Sequence, residues 1–214
     1  TEDDEARWED IFQREFSHQP LIRHRAFTWN EPKPPAHVFT GHTAEDSPVL
    51  TLRRPGLKKP ERWNPDVTIR PLFTYEDWKA AAEKGIAYRP EGFQEKAFRD
   101  FKIAQMDRYR RMSEAGLGHW FGAFLRGEMV CSGGLYTFGR TGRFQSILTA
   151  APYRRQGACA TLVYEIACSA LNAADELVIA ADPSNGVDRV YTSVGFAGDE
   201  TYWTLSRRAP QDQI

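Results

Sequence analysis

A chain of 214 residues can bury a core without disulfides or metal to staple it, and its 41% hydrophobic and 13% aromatic content is that of a globular protein rather than a disordered one. The formal net charge of −1 argues against a dedicated nucleic-acid binder, whose phosphate contacts need a strongly basic face. Three cysteines without a C-x-x-C pair (Cys131, Cys159, Cys168) predict neither a disulfide framework nor a zinc site and point to a reducing, cytoplasmic setting. No apolar run of 18 residues exists, so no membrane span is expected, and the acidic start of the chain has no signal-peptide core.

The spacing of Trp8, Ile11, Phe12 and Phe16 predicts a helix over 3–16. Proline-broken stretches follow, with short strands at His24 to Trp29 and Val49 to Leu52. The first 65 residues read as an N-terminal extension that extends a sheet or forms an interface. From Val67 the pattern tightens. Val67 to Leu72 is a strand, Thr74 and Asp77 cap a helix that Gly85 would end, and a second helix runs from Phe93 to Met112 with Ala97, Phe101 and Ala104 on its apolar face. A meander follows, with strands at Trp120 to Leu125, Met129 to Tyr136 and Phe144 to Thr149. Then come a helix over Gly157 to Leu171, a buried strand at Leu177 to Ala181, a short helix over Gly186 to Val194 and a last strand at Thr201 to Leu205. The order β-α-α-β-β-β-α-β-α-β predicts an α/β protein with a mixed sheet, with a domain over 66–208 and a tail at 209–214.

The chemistry concentrates after Thr149. A strand, a basic turn with a glycine and a helix start follow one another in Ile147 to Thr161. A helix start presents unpaired N–H groups and about half a positive charge, and Gly157, Ala158 and Ala160 let an anion approach the backbone. Arg154 and Arg155 add forked contacts suited to phosphate oxygens. No Gly-Lys-Ser/Thr and no G-x-G-x-x-G is present, so the expected ligand is a phosphate or pyrophosphate outside the Walker and dinucleotide classes.

Tyr153-Arg-Arg-Gln-Gly-Ala-Cys-Ala160 resembles the R/Q-x-x-G-x-G/A pyrophosphate loop of the GNAT superfamily of N-acetyltransferases, with Cys159 where glycine or alanine is usual. Asn185 to Phe196 resembles that family's second signature, Asn…Tyr-x-x-x-Gly-Phe. The resemblance covers about Val67 to Leu205. It implies an acyl-CoA N-acyltransferase fold: a mixed, mostly antiparallel sheet with a splayed parallel pair and helices on both faces. It further implies acetyl-CoA as co-substrate, no metal, and direct transfer to a small-molecule or peptide amine. Ile147, Leu148 and Thr149 would pair with the pantetheine arm, and Arg154, Arg155, Gln156, Gly157, Ala158, Cys159 and Ala160 would hold the diphosphate. Asn185 would touch the cofactor, and Tyr191 would protonate the departing thiolate.

The glutamate that many such enzymes carry on the strand before the loop is missing, because Phe144 to Thr149 offers only Gln145 and Ser146. His119 and Glu128 are the candidates for general base. Plainer readings stand beside these: a solvated turn for Arg154 and Arg155, a packing role for Tyr191, a cap for Asn185, a structural His119, and small apolar roles for Cys159 and Cys168. A CoA-binding module without turnover is the rival function, and a homodimer through the extension is a further expectation. Neither a nucleic-acid nor a membrane partner is expected.

Overall fold

Helix α1 (Glu2–Phe16) opens the chain in a computed structural model of the protein. The structure describes residues 1–19, 22, 24–29, 33–182 and 186–207, without the side chains of Glu2 and Asp199. After α1 come β1 (Arg25–Trp29), β2 (Thr43–Leu52), β3 (Val67–Pro71), α2 (Tyr75–Ala87), α3 (Glu95–Glu114), β4 (Gly118–Leu125), β5 (Glu128–Phe138) and β6 (Thr141–Thr149). They are followed by α4 (Ala158–Ala170), β7 (Glu176–Ala180), α5 (Asp188–Val194) and β8 (Ala197–Arg207).

The chain forms two compact units, Thr1–Val49 with the chain from Asp199 onward, and Leu50–Gly198. Residues 50–65, assigned to the extension on sequence grounds, lie in the larger unit. In the smaller unit β1 pairs antiparallel with β8, Arg25 opposite Arg207 and Trp29 opposite Trp203. Phe12, Phe27, Phe39 and His42 bring their rings together there. The Glu9 carboxylate lies 2.7 Å from both Arg25 and Arg207.

The larger unit is built on the sheet order β3-β4-β5-β6-β7. Its first four strands are antiparallel neighbours. β6 and β7 are parallel, and α4 makes the crossover that a parallel pair requires. Alternation along each strand feeds two cores on opposite faces. Leu162, Val163, Ile166 and Ala167 of α4 pack with Val130, Leu177, Ile179 and Phe196 on one face. Trp78 of α2 and Met106 and Tyr109 of α3 pack with Trp120 and Tyr136 on the other.

The start of α2 follows the expected capping box, since Thr74 accepts from the Asp77 amide and Asp77 from the Thr74 amide. Asp77 also takes both arms of Arg70 at 2.8 Å. Gly85 does not end this helix. Helical backbone continues to Ala87, and Tyr88 caps it, so Gly85 lies inside the helix rather than at a left-handed cap. The buried face of α3 also differs from expectation. Ala97, Phe101 and Ala104 are exposed, while Phe98, Met106 and Tyr109 are buried. Lys102 lies between them in the buried stripe, its amine 5.5 Å from the Phe98 ring centroid. A lysine stem lying along apolar surface hides the true stripe from a reading of apolar letters alone.

Candidate functional site

The turn between β6 and α4 is held open by its own backbone. Tyr153 donates its hydroxyl to Glu128 at 2.7 Å, and the Arg154 amide closes on Ala151. Arg155 and Gly157 then adopt left-handed φ values of 63° and 83°. Among the described residues no acceptor meets the N–H groups of Arg155, Gln156, Gly157, Ala158, Cys159 and Ala160. The first amide to pair is that of Thr161, which closes on the Gly157 carbonyl at 2.9 Å. No side chain caps α4. Consecutive free amides in a turn leading into a helix form a concavity of positive potential, where an anion is favoured.

A segment overlooked at the sequence level braces this turn. A Cβ at Gly157 would lie 2.3 Å from the Arg62 carbonyl oxygen, so only glycine admits that approach. Asn64 donates from its side chain to the Gln156 carbonyl and from its amide to Thr161 Oγ1, each at 2.8 Å. Trp63 donates to Glu165 at 3.3 Å. The only local signal was Asn64-Pro65 before a strand, which reads as an ordinary turn. Arg62–Pro65 and Arg155–Gly157 line a cavity of about 320 Å³.

Arg154 turns back from the turn's mouth, its Nε 3.4 Å from the Thr149 carbonyl and its guanidinium 5.4 Å from the Tyr88 ring centroid. Arg155 has no partner among the described residues. Gln156 donates its side-chain amide to the Pro152 carbonyl at 2.9 Å.

Beside the turn the parallel pair comes apart. β6 and β7 are in register only over Thr141–Arg143 against Glu176–Val178. Ile147, Leu148 and Thr149 have no β7 partner and are half-buried. A bulge accompanies the break. The β5–β6 register slips between Ser132 and Gly134, Ser146 takes φ 45°, and a Cβ on Gly133 would lie 2.7 Å from Ile147 Cγ1. At the end of β6, Thr149 donates its hydroxyl to Cys131 Sγ at 3.2 Å. The neighbouring Cys159 thiol, together with burial, pushes the Cys131 thiol well above its usual range.

Tyr191 of α5 is buried, its ring 6.3 Å from that of Phe196. Burial, and then the nearby Cys159 and Cys131, push its phenol far above the ordinary tyrosine range. The hydroxyl has no hydrogen-bond partner among the described residues. Asn185 lies outside the described residues. His119 is exposed, with its ring 6.0 Å from Phe121 and no hydrogen-bond partner among the described residues. Through the ladder it shares a rung with Leu135 and Phe144, whereas Thr149 shares one with Cys131 and Ala123. Glu128 serves Tyr153 and lies 3.8 Å from Lys84. Gln145 accepts from the Tyr109 hydroxyl at 3.5 Å. No group of three or more potential metal ligands occurs among the described residues, and no helix among them is long and apolar enough to cross a membrane.

No family model matches the chain, and no curated protein matches it. Solved structures do. A conserved protein of unknown function from Staphylococcus epidermidis aligns at TM-score 0.68 with 12% identity, over 94% of this chain and 79% of that one. A GCN5-related N-acetyltransferase from Sphaerobacter thermophilus aligns at 0.62 with 16% identity, over 94% of this chain and 66% of that one. Another from Kribbella flavida aligns at 0.54 with 17% identity, over 79% of this chain and 61% of that one, so the chain spans less than two thirds of both of these enzymes. Sequence likeness this low speaks to architecture alone. With its mixed sheet, the parallel pair of β6 and β7 and helices on both faces, the chain has the fold of the GCN5-related N-acetyltransferases.

Proposed function

We propose that the protein is an acyl-CoA-dependent N-acyltransferase that moves an acetyl group from acetyl-CoA to a primary amine on a small molecule or peptide. The observation that carries this reading is the run of unpartnered amides from Arg155 to Ala160 beside the gap between β6 and β7. Six free N–H groups and a helix N-terminus suit a diphosphate. The unpaired edge at Ile147–Thr149 offers alternating N–H and C=O groups to an amide-bearing arm such as pantetheine. The solved acetyltransferases of the same fold support the same class of reaction.

The reaction joins an amine nitrogen to the thioester carbonyl carbon and breaks the carbon–sulfur bond, with the bonding pair leaving on sulfur and the ammonium proton passing to solvent. A backbone N–H of β6 beside the bulge at Ser146 would donate to the oxyanion. Tyr191 holds its proton throughout the neutral range and can donate a hydrogen bond to the departing sulfur. The further its pKa is raised, the weaker the drive for complete transfer, so its contribution is that of a hydrogen-bond donor. Calorimetry with CoA and a thiol-release assay with acetyl-CoA and an amine panel test the proposal. Binding followed by release is expected, and no affinity for CoA would overturn it.

One observation favours a second reading, a CoA-binding module without turnover. Glu128 is engaged by Tyr153, and the exposed His119 has no hydrogen-bond partner among the described residues to orient it. That reading expects CoA binding with no acylated product from any amine.

A further inference from the structure

The cavity between Arg62–Pro65 and Arg155–Gly157 is larger than a diphosphate on the turn requires. We propose that it receives the phosphorylated ribose end of a CoA-class ligand, and that Arg62 is the residue that reads the phosphomonoester. This rests on the acyl-CoA reading and extends it to a part of the chain outside the loop motif.

Placement is the first reason. Three of the residues lining the cavity, Arg155, Gln156 and Gly157, also carry free amides, so a diphosphate held there has its next groups at the cavity mouth. Arg62 is registered against the same turn, since its carbonyl oxygen fills the space where Gly157 lacks a Cβ. The guanidinium therefore starts from a fixed point beside the amides. Size is the second reason. About 320 Å³ falls at the lower end of small-ligand sites, suited to part of a ligand whose remainder lies elsewhere.

Charge is the third. Arg53, Arg70, Arg99 and Arg140 of the same unit each meet a carboxylate. Arg62 and Arg155 meet none among the described residues, yet they share one concavity. A phosphomonoester in that concavity can accept forked, charge-assisted hydrogen bonds from both residues. The wall supports this. Trp63 is pinned by its hydrogen bond to Glu165 and by Lys59, whose amine lies 3.8 Å from the ring centroid. It gives the cavity a rigid aromatic side next to further positive charge.

Calorimetry on the full chain, with CoA and with 3′-dephospho-CoA, tests the proposal. The native protein is expected to prefer CoA by about tenfold, the scale of one charge-assisted contact. Arg62→Ala should bind dephospho-CoA as the native protein does and lose the preference, and this retained affinity also shows that the variant is folded. Equal affinity of the native protein for both ligands would overturn the proposal. So would an Arg62→Ala variant that keeps the preference or weakens both ligands alike. Absence of CoA binding by the native protein would instead remove the acyl-CoA reading, and this inference with it.

Discussion

Asn64 and Gln156, 92 residues apart in the chain, are joined by a 2.8 Å hydrogen bond from the Asn64 side-chain amide to the Gln156 carbonyl. That carbonyl belongs to the peptide whose N–H is on Gly157, so the bond fixes the orientation of one of the free donors. Asn64→Ala is expected to weaken CoA binding by about 1 kcal/mol, the worth of one hydrogen bond. The melting temperature should fall only slightly. Calorimetry and thermal unfolding check this together, and unchanged affinity would show that the turn holds its shape without the bond.

Gly157→Ala meets two obstacles, a left-handed φ of 83° and the Arg62 carbonyl 2.3 Å from the new Cβ. A loss of about 1–3 kcal/mol is expected, the range for a strained backbone position. Urea unfolding measures it. A variant as stable as the native protein would place the Arg62 carbonyl elsewhere.

The pairing of Arg70 with Asp77 makes stability depend on pH. The Arg70 guanidinium, outweighing the opposing effect of burial, holds the Asp77 carboxyl well below its ordinary value of 3.8. A depressed folded-state value means that the stabilisation is fully present above the ordinary value and is lost as pH falls through the folded-state one. Asp77→Asn should therefore cost about 2 kcal/mol at neutral pH, with the gap to the native protein narrowing below about pH 4. Denaturant curves across that range test the sign. A gap that widens in acid would contradict it.

Tyr191→Phe removes a hydroxyl without a hydrogen-bond partner among the described residues, so stability should barely change. Turnover is expected to fall about tenfold, below the usual scale of a general acid because the phenol is held so far above its ordinary range. The Michaelis constant for acetyl-CoA should move less than kcat. A raised Michaelis constant with kcat intact would make the hydroxyl a binding group.

His119 is exposed, and no hydrogen-bond partner among the described residues fixes its tautomer or its direction. His119→Ala should leave kcat/KM within about twofold and the acid limb of its pH profile unmoved, because an unoriented imidazole makes a poor base. Loss of that limb in the variant would assign the base to His119 directly.

Apolar spacing, caps and turn residues set the order of elements from Val67 onward, because each such signal is complete within one helical turn or one strand. Thr74 and Asp77 announced α2, and the strand, basic turn and helix around Gly157 were legible for the same reason. Periodicity failed at α3, where the stem of Lys102 covers apolar surface without an apolar letter to mark it. Only the tertiary structure decided the rest. The separation of β6 from β7 after Arg143, the unpartnered state of the turn's amides and the brace from Arg62 and Asn64 all depend on which distant backbone groups meet. Hydrogen-bond partners so far apart in the chain leave no local pattern, and a donor is known to be free only when the whole chain is in place around it.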